Sequence, residues 1–466
     1  MKKFFDNSAL WALLNLFRRG VFTLSIVLLG LSQTYVFLLI PTDFNGDPND
    51  YINVARQIFS SDSENVSILR FVGYPFFIKA MSLNLINLNL VFFAQSLLFV
   101  SASWYFAKSA SSNPYFQSAI VLIGTIPSIA YMQKLLFPDG LILTACLLFL
   151  GALIRKNWKL ALLFSVTLIL VKVVFVFTLL ILVASFFLKD QSGRKVATVY
   201  ISTNLALVPA IFLFQPFFLY FPIVQEAPFA ASSHQSKERL TSFTIVCDGD
   251  QHTISGQSNM DLVYEFAGLP DQRPLSGELI LAHRCTSQDL KNVQRTMAVE
   301  ALQREPSLQV RKYLEKITGA VFTVAQTNHL DYMLYMKSFL SQGESSPNER
   351  YAESEIQAFE SQGIEPLELL VSGDFKIDQT FQKVTIAAKG LLAGIAFAFL
   401  LWQLVSKKKL SFLQRTLLMM WFSIAFVNST FAFTYDRYLQ LIPFLCVAFL
   451  ASQFPLSKVA LKSHGK

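Results

Sequence analysis

The chain has 466 residues, of which 53% are hydrophobic and only 15% are charged, and its formal net charge is +8. Ordinary soluble proteins carry about 25% charged residues, so this composition argues against a soluble globular protein. We interpret the positive charge as a consequence of membrane topology and expect no nucleic-acid partner.

Eight segments without a charged residue recur along the chain, and most approach the roughly 20 residues that cross a bilayer as a helix. In chain order they are Val21–Ile40, Ile86–Ala107, Tyr115–Gln133, Gly140–Ile154, Val196–Val224, Gly390–Ser406, Thr416–Tyr435 and Tyr438–Ser457. A ninth stretch, Leu160–Leu188, has one charge and is too long for one span, so it predicts two short helices that meet near Lys172. The sequence therefore predicts a polytopic α-helical membrane protein with about ten spans.

The positions of Lys and Arg predict the orientation of these spans. With the N-terminus inside, eighteen basic residues fall in inner segments and seven in outer segments or outer span ends, which agrees with the positive-inside rule. We expect the protein in the inner (plasma) membrane. Because ten is an even number of spans, both termini are then cytoplasmic. Residues 1–224 then form an N-terminal membrane module whose first outer loop is 41–85, and 384–466 form a C-terminal membrane module.

Residues 225–383 are polar and hold 22 of the 31 acidic residues against 14 Lys and Arg. The topology makes this segment one periplasmic domain, and we expect it to be α or α+β. It contains Cys247 and Cys285, which an oxidising compartment would join in a disulfide; two unpaired thiols are the alternative. Cys146 and Cys446 lie in spans and are expected to be inert core residues.

Most of the remaining acidic residues fall on the predicted outer side of the membrane. They are Asp43, Asp47, Asp50, Asp62, Glu64, Asp139 and Asp436. We interpret Asp43, Asp62 and Glu64 as solvated loop residues. Asp139 and Asp436 occupy short turns between apolar spans, in "LLFPDGLIL" and "FTYDRYLQL". Ionisable groups beside hydrocarbon usually face a cavity or a partner, so carboxylates from three turns are expected to meet over one cavity.

Basic residues on the same side run against the overall charge bias. Four of the seven, Arg70, Lys134, Lys172 and Arg437, are near the acidic residues in the predicted topology. An anionic ligand such as phosphate would explain them, because Arg binds phosphate bidentately and Lys binds it as a point charge. The alternatives are ion pairs with the neighbouring carboxylates, or contacts of the long side chains with lipid headgroups.

Four stretches occur in an order and topology that match one family. They are "GDPNDYINVARQI" in the first outer loop, "FVGYPFFIKAM" at its end, "LFPDGLILTACLLFL" and "YDRYLQLIPFL". Together they resemble the GT-C glycosyltransferases, polytopic enzymes that use polyprenyl-phosphate sugars and include protein mannosyltransferases and aminoarabinose transferases. "EALQREPSLQVRKYL" is similar to a helix-Pro-helix piece before the re-entering span. Most of the outer domain has no counterpart.

The resemblance implies transfer of a hexosyl or pentosyl group, with inversion, from a polyprenyl-phosphate donor to a lipid-linked or surface glycan, a lipid or a protein. Asp47 is the expected base because its spacing to Tyr51 fits the family. Asp50 remains the alternative base, because many relatives have a second acidic residue next to the first, whereas here Pro48 and Asn49 separate Asp47 from Asp50. The carboxylate of Asp139 would orient the acceptor, or hold Mg²⁺ or Mn²⁺ together with Asp47. Some relatives need a metal and others do not.

The resemblance also implies a phosphate site and substrate contacts. Arg437, Lys172 and Arg70 would bind the donor phosphate, while Tyr51, Tyr438 and Asp436 would contact substrate. For Arg437, an interfacial ion pair with Asp436 is the alternative.

Three other classes compete with a transferase. A glycan polymerase or ligase would concentrate its key Arg and His residues in the outer domain. A transporter or flippase would show broken half-helices and ionisable groups at mid-membrane. A receptor or scaffold would not need acids and bases grouped in short turns.

Overall fold

The computed structural model describes residues 7–39, 51–52, 54–56, 58, 73–171, 241–247, 250–256, 306–323, 379–431 and 439–453. The chain divides into two compact units. Described residues of the first unit lie within 7–171, 321–424 and 439–453, and those of the second lie within 241–256, 306–320 and 425–431.

The structure is mostly helical. Its α-helices, in chain order, are α1 (Asn7–Leu39), α2 (Gly73–Met81), α3 (Asn89–Ala110), α4 (Pro114–Ile123), α5 (Pro127–Tyr131), α6 (Pro138–Ile154), α7 (Trp158–Val171), α8 (Pro306–Val321), α9 (Gln379–Val405), α10 (Phe412–Phe431) and α11 (Ile442–Gln453). A 3₁₀ turn, Met132–Lys134, follows α5, and a hairpin is formed by strands β1 (Thr241–Cys247) and β2 (Asp250–Gly256).

Three of these helices are long and apolar enough to cross a membrane. Within the described residues, the qualifying stretches are Arg19–Leu38, Asn89–Ala110 and Thr385–Val405. A bent pair, Pro114–Ile123 with Pro127–Lys134, brings the number to four if it counts as one span. Four shorter apolar helices accompany them: α6, α7, Phe412–Phe426 of α10, and α11. The part of the predicted stretch Leu160–Leu188 that begins at Lys172, and all of Val196–Val224, lie outside the described residues.

Burial patterns distinguish the peripheral helices from the central ones. On α1 the buried side chains recur every three or four residues, from Phe22 through Leu29 to Val36, while Leu24, Leu31 and their neighbours are exposed. This is the single buried stripe of a helix that packs on one side only. By contrast, α6 is buried on nearly all sides, as expected for an apolar helix inside a bundle.

The predicted span Tyr115–Gln133 corresponds to a bent pair of helices and not to one straight helix. Helix α4 stops at Ile123, and α5 starts at Pro127 after a bend of 63°. Pro127 has no backbone N–H and pushes the preceding residue out of the helical conformation; Ile126 accordingly has ψ 126°. Counting apolar residues alone conceals this break.

Helix α3 lies at the centre of the first unit, where it contacts α1, α2, α4, α6 and α11. The rings of Phe99 on α3 and Phe444 on α11 meet edge to face, with centroids 6.2 Å apart. Gly124 fits beside Leu29 and Phe99, at the point where α4 ends. Cys146 and Cys446 are buried unpaired thiols in α6 and α11, which confirms their expected place in the core.

The N-terminus of α2 packs tightly against the C-terminus of α7. A Cβ added to Gly73 would collide with the backbone carbonyl of Leu170 and would lie 3.0 Å from the nitrogen of Val171. Only glycine allows this approach of two backbones. The contact joins the start of α2 to the end of α7.

In the second unit, β1 and β2 pair antiparallel, with Thr241 opposite Gly256 and Cys247 opposite Asp250. The two intervening residues are Asp248 and Gly249, a pair favoured in two-residue hairpin loops. Helix α8 also belongs largely to this unit, where the Tyr313 ring meets Phe426 with centroids 6.3 Å apart.

Candidate functional site

A short irregular segment connects the bent helix pair to α6 and lies entirely within the protein. Residues 132–140 are all buried. After the 3₁₀ turn, Leu135 and Phe137 adopt extended backbone conformations. Buried peptide groups without hydrogen-bond partners are costly. We therefore expect the polar side chains around this segment to form hydrogen bonds with its backbone.

Gln95 and Tyr74 hold the segment in place. The Gln95 amide nitrogen donates to the backbone carbonyls of Gln133, at 2.9 Å, and Leu135, at 3.2 Å. The Tyr74 hydroxyl donates to Gln95 Oε1 at 3.0 Å and lies 3.4 Å from the Leu135 carbonyl oxygen. A hydrogen-bonded cluster thus links α2, α3 and the irregular segment.

Lys134 ties the same segment to the end of α1. Its ammonium donates to the carbonyl oxygen of Phe37 at 2.7 Å and lies over the rings of Phe37 and Phe92, 4.6 and 5.2 Å from their centroids. Phe37 is in the last turn of α1, where carbonyls lack helical donors and the helix dipole favours a cation. Lys134 is only 8% exposed, so its described contacts are internal to the bundle.

Asp139 occupies the first turn of α6, directly after Pro138 at the first helical position. It is 5% exposed. The unsatisfied N–H groups and the dipole of a helix N-terminus stabilise a carboxylate there, which lowers the cost of burying it. Thr144, one turn further on, directs its hydroxyl to the carbonyl of Gly140, inside the helix.

Two predicted site residues converge on Tyr74, which lies on α2 outside the candidate spans. The Tyr51 ring meets the Tyr74 ring edge to face, with centroids 5.2 Å apart. Burial raises the pKa of Tyr74 well above its ordinary value, and the nearby Tyr51 and Asp139 raise it further. Tyr74 therefore adjoins both the motif around Tyr51 and the Pro-Asp turn.

Gln133 completes this group of residues, which we name the Tyr74 cluster: Tyr51, Tyr74, Gln95, Gln133 and Asp139. A Cβ added to Gly140 would lie 3.1 Å from Gln133 Oε1 and 2.7 Å from the Met132 carbonyl. The amide of Gln133 therefore rests against the first turn of α6, next to Asp139. Neither of its polar atoms has a hydrogen-bond partner among the described residues.

The other predicted site residues are not tested by the structure. Those outside the described residues are Asp47, Asp50, Arg70, Lys172, Asp436, Arg437, Tyr438 and Cys285. The backbone of Cys247 is described at the end of β1, but the predicted Cys247–Cys285 disulfide also needs its partner. Of the predicted site, Tyr51 and Asp139 can be placed, and both belong to the Tyr74 cluster.

Sequence reasoning missed Tyr74, Gln95 and Gln133. Gln95 lies within one apolar segment and Gln133 ends another, so an amide inside a predicted span was the available signal. Tyr74 stands within "FVGYPFFIKAM", but nothing in its own sequence distinguishes it from the surrounding aromatic residues.

A second buried polar contact lies where the bent helix pair meets α9. Lys389 is 3% exposed, and its ammonium is 3.5 Å from the hydroxyl of Ser128, in the first turn of α5. Lys389 falls inside the candidate span Thr385–Val405, four residues from its start. An ionisable group in such a place is a functional candidate in its own right.

The predicted metal site requires Asp47 together with Asp139. Within the ranges that the structure describes, no three His, Cys, Asp or Glu side chains are grouped as metal ligands would be. Asp139 itself offers the oxygen ligand that Mg²⁺ or Mn²⁺ prefers, and its partner Asp47 lies outside those ranges.

Comparison with protein-family models, with curated proteins and with solved structures finds no match to this chain.

Proposed function

We propose that the protein is an integral-membrane glycosyltransferase of the GT-C type, with about ten spans and a periplasmic domain at 225–383. The observation that supports this best is the convergence of Tyr51 and Asp139 on Tyr74. Tyr51 belongs to the first-loop motif and Asp139 to the Pro-Asp turn, and more than 80 residues separate them in the chain. The family resemblance requires that these two motifs share one site.

The chain geometry is compatible with the proposed base. Asp47 precedes Tyr51 by four residues, so its Cα lies within about 14 Å of the Cα of Tyr51. Asp50 is the adjacent residue, with a Cα about 3.8 Å away. The choice between Asp47 and Asp50 is left to experiment.

In the proposed reaction, an acceptor hydroxyl attacks the anomeric carbon of the donor sugar from the face opposite the phosphate. The new C–O bond forms as the bond between the anomeric carbon and the phosphate oxygen breaks. Asp47 or Asp50 takes the hydroxyl proton, and polyprenyl phosphate leaves with the bonding electron pair. Asp139, fixed at the start of α6, orients the acceptor.

Cations are proposed to stabilise the charge that develops on the leaving phosphate. The candidates are Arg437, Lys172 and Arg70. Gly73 packs against the backbone of Leu170 and Val171. In the sequence, Gly73 follows Arg70 by three residues, and Val171 directly precedes Lys172. Where Mg²⁺ or Mn²⁺ is required, Asp47 and Asp139 would hold it and it would supply Lewis-acid charge.

Transfer from a purified polyprenyl-phosphate sugar to lipid or glycan acceptors tests the proposal directly. Asp47→Asn is expected to lower the rate about 100-fold or more, because it keeps the shape and removes the basicity, and Asp139→Asn should lower it severely as well. Asp62→Asn, at a carboxylate that we interpret as solvated, is the matched control and should retain the wild-type rate.

Two results would contradict this scheme. Loss of activity in Asp50→Asn with full activity in Asp47→Asn would move the base to Asp50. Full activity in both variants would remove the carboxylate mechanism altogether. In cells, an inactive variant should accumulate the unconsumed lipid-linked sugar.

A lipid-linked glycan flippase or transporter is the second candidate, and a specific observation favours it. Helix α4 is broken from α5 by a 63° bend, and Lys389, buried in a candidate span, contacts Ser128 on the α5 side of that break. Broken helices and buried ionisable groups are typical of transporters. Proteoliposomes separate the two functions: a flippase moves the lipid-linked sugar between leaflets without an acceptor, whereas a transferase consumes it only when an acceptor is present.

A further inference from the structure

Several helices of the first unit carry an exposed basic residue at one of their ends. These residues, which we name the basic end, are Arg19 on α1, Lys108 on α3, Arg155 and Lys156 after α6, Lys159 on α7, Lys407, Lys408 and Lys409 after α9, and Arg415 on α10. Among the described residues of this unit, Asp139 is the only acidic one. It lies at the other end of α6, about 24 Å from Arg155 along the helix axis. The described part of the unit therefore places no carboxylate at the basic end.

Side-chain contacts show that the basic residues of α1, α3 and α6 lie close together. The Lys108 ammonium lies over the Phe22 ring, 4.3 Å from its centroid, and thus joins the end of α3 to α1. The Arg155 guanidinium lies over the Tyr105 ring, 4.7 Å from its centroid, and donates to the Ser109 hydroxyl at 2.7 Å. The end of α6 is therefore attached to the end of α3.

The turn between α6 and α7 adjoins the turn between α9 and α10. The ammonium of Lys156, in the first of these turns, lies 5.9 Å from the centroid of the Phe412 ring at the start of α10. The second turn contains Lys407, Lys408 and Lys409, all of them exposed. Cations from two neighbouring turns are thus presented on one side of the bundle.

An exposed apolar surface continues from these cations along α9. Trp402 is 51% exposed and Val405 is 81% exposed, and both belong to a candidate membrane span. The Lys408 ammonium lies over the Trp402 ring, 4.1 Å from its centroid. Trp is enriched at the membrane–water interface, and Lys reaches from apolar surface towards headgroups. A phospholipid has the same two parts, because its acyl chains adjoin a charged headgroup.

Two lysines of the basic end have a backbone conformation that favours glycine. The φ angles are 57° for Lys156 and 50° for Lys407. Each residue follows a helix that ends in a Schellman motif, in which the next N–H bonds back to the helix, at 2.9 Å for Asn157 and 3.0 Å for Lys408. Glycine fits this position with less strain. A strained lysine at such a place points to a use of its side chain beyond folding.

We propose that the basic end binds the headgroup of an anionic phospholipid between the turn after α6 and the turn after α9, with the acyl chains along the exposed apolar side of α9. The ammonium groups attract the phosphate as point charges, whereas a zwitterionic lipid brings its own cation. Anionic lipids give the cytoplasmic leaflet a negative surface potential, and the sequence predicts these cations on that side. The site goes beyond the glycosyltransferase proposal, and its test needs no transferase activity.

The test uses a substitution that affects folding and binding in opposite directions. The double variant Lys156→Gly/Lys407→Gly removes two cations and supplies the residue that both backbone positions favour. Its melting temperature in neutral detergent should therefore equal or exceed that of wild type. Its affinity for dioleoylphosphatidylglycerol, measured by native mass spectrometry of the delipidated full chain, should fall about fivefold for each cation, the factor that corresponds to about 1 kcal/mol for one Lys near an anionic surface.

Two further variants make the result independent of total charge and of the glycines. Arg311→Gln/Lys312→Gln removes two cations from α8, outside the basic end, and should bind the lipid as wild type does. Lys156→Gln/Lys407→Gln removes the charges without a glycine and should lose the same affinity as the glycine variant. Dioleoylphosphatidylcholine, which carries no net charge, should bind wild type far more weakly than the anionic lipid.

Four outcomes would overturn the lipid site. Equal binding of the two lipids by wild type would remove the preference for an anionic headgroup. Unchanged affinity in both variants of Lys156 and Lys407 would mean that these side chains serve only the helix ends. An equal loss in the α8 control would reduce the effect to total charge. Full competition by glycerol phosphate at the same concentration would indicate a site for a soluble phosphate and not for a lipid.

Discussion

Replacing Gln95 by Leu should destabilise the protein through the segment that carries Gln133 and leads to Asp139. Gln95 makes three hydrogen bonds in the structure: two donated to the carbonyls of Gln133 and Leu135, and one accepted from Tyr74. Leu has a similar volume and fits an apolar helix, so the change removes hydrogen bonding and leaves little cavity. The effect should therefore report the hydrogen-bonded cluster and not packing.

The structure allows the loss to be estimated. The carbonyl of Gln133 loses a bond of 2.9 Å, while the carbonyl of Leu135 and the hydroxyl of Tyr74 retain their mutual contact at 3.4 Å. One buried group deprived of its partner costs about 1–3 kcal/mol, and the weakening of the remaining pair adds less. We expect the free energy of unfolding to fall by about 2–4 kcal/mol.

Unfolding of the detergent-solubilised protein by a denaturing detergent measures this change. Tyr74→Phe removes the donor to Gln95 Oε1, so Gln95→Leu and Tyr74→Phe should be coupled by about 0.5–3 kcal/mol in a double-mutant cycle. The control cycle pairs Tyr74→Phe with Gln117→Leu. Gln117 bonds to Ser111, about 16 residues and 24 Å along the axis of α3 from Gln95, so these two effects should add.

The reasoning would be refuted by additive effects of Gln95→Leu and Tyr74→Phe. Additivity would mean that the two side chains do not share a hydrogen bond. A loss in Gln117→Leu as large as that in Gln95→Leu would show instead that any buried glutamine in this bundle has the same effect, whatever its contacts.

Further predictions follow from other parts of the structure. Gly73→Ala should lower the unfolding free energy by about 1–3 kcal/mol, because the added Cβ would press on the backbone of α7. The control is Gly30→Ala, whose added Cβ would have no atom within 4 Å, and it should be neutral or stabilising in the same unfolding assay. The pKa of Tyr74 is raised above its ordinary value of 10.0 in the folded protein, so the stability that the protonated hydroxyl contributes is fully present below pH 10 and is lost as the pH rises through the folded-state pKa. Tyr74→Phe should therefore reduce the loss of unfolding free energy at alkaline pH, measured from pH 7 upwards. In intact cells, a cysteine at residue 300 should be labelled by an impermeant reagent and one at residue 408 should not; the reverse pattern would contradict the proposed topology.

The sequence predicts the helices better than the turns between them. Charge-free segments correspond to α1, α3, α6, α9, α10 and α11, because burial in an apolar environment depends mainly on composition, and composition is visible in the sequence. The broken helix was missed although its signal was present, since Gly124 and Pro127 stand within the apolar segment. Backbone chemistry, and not hydropathy, decides the course of the chain at such a place.

The site was only partly predictable for a different reason. The Pro-Asp turn and the motif around Tyr51 could be recognised locally, and the structure brings both to Tyr74. The contact of Lys134 with Phe37, however, joins residues 97 positions apart. Such a contact depends on how helices pack, and no local pattern encodes it. The unpartnered amide of Gln133 is likewise a property of the assembled cluster.

The break between α4 and α5 explains how a carboxylate comes to be buried at a helix start. Pro114 and Asp139 are about 25 residues apart; as one unbroken helix this stretch would extend about 38 Å, beyond the roughly 30 Å of a bilayer core. Asp139 would then lie in mid-helix, where the backbone N–H groups are already bonded to carbonyls. The break, the irregular segment and Pro138 instead place it in a first turn, whose unbonded N–H groups stabilise its charge. The cost of burying an irregular backbone is offset by Gln95, Tyr74 and Lys134, and it is this arrangement that gives the cluster a fixed carboxylate.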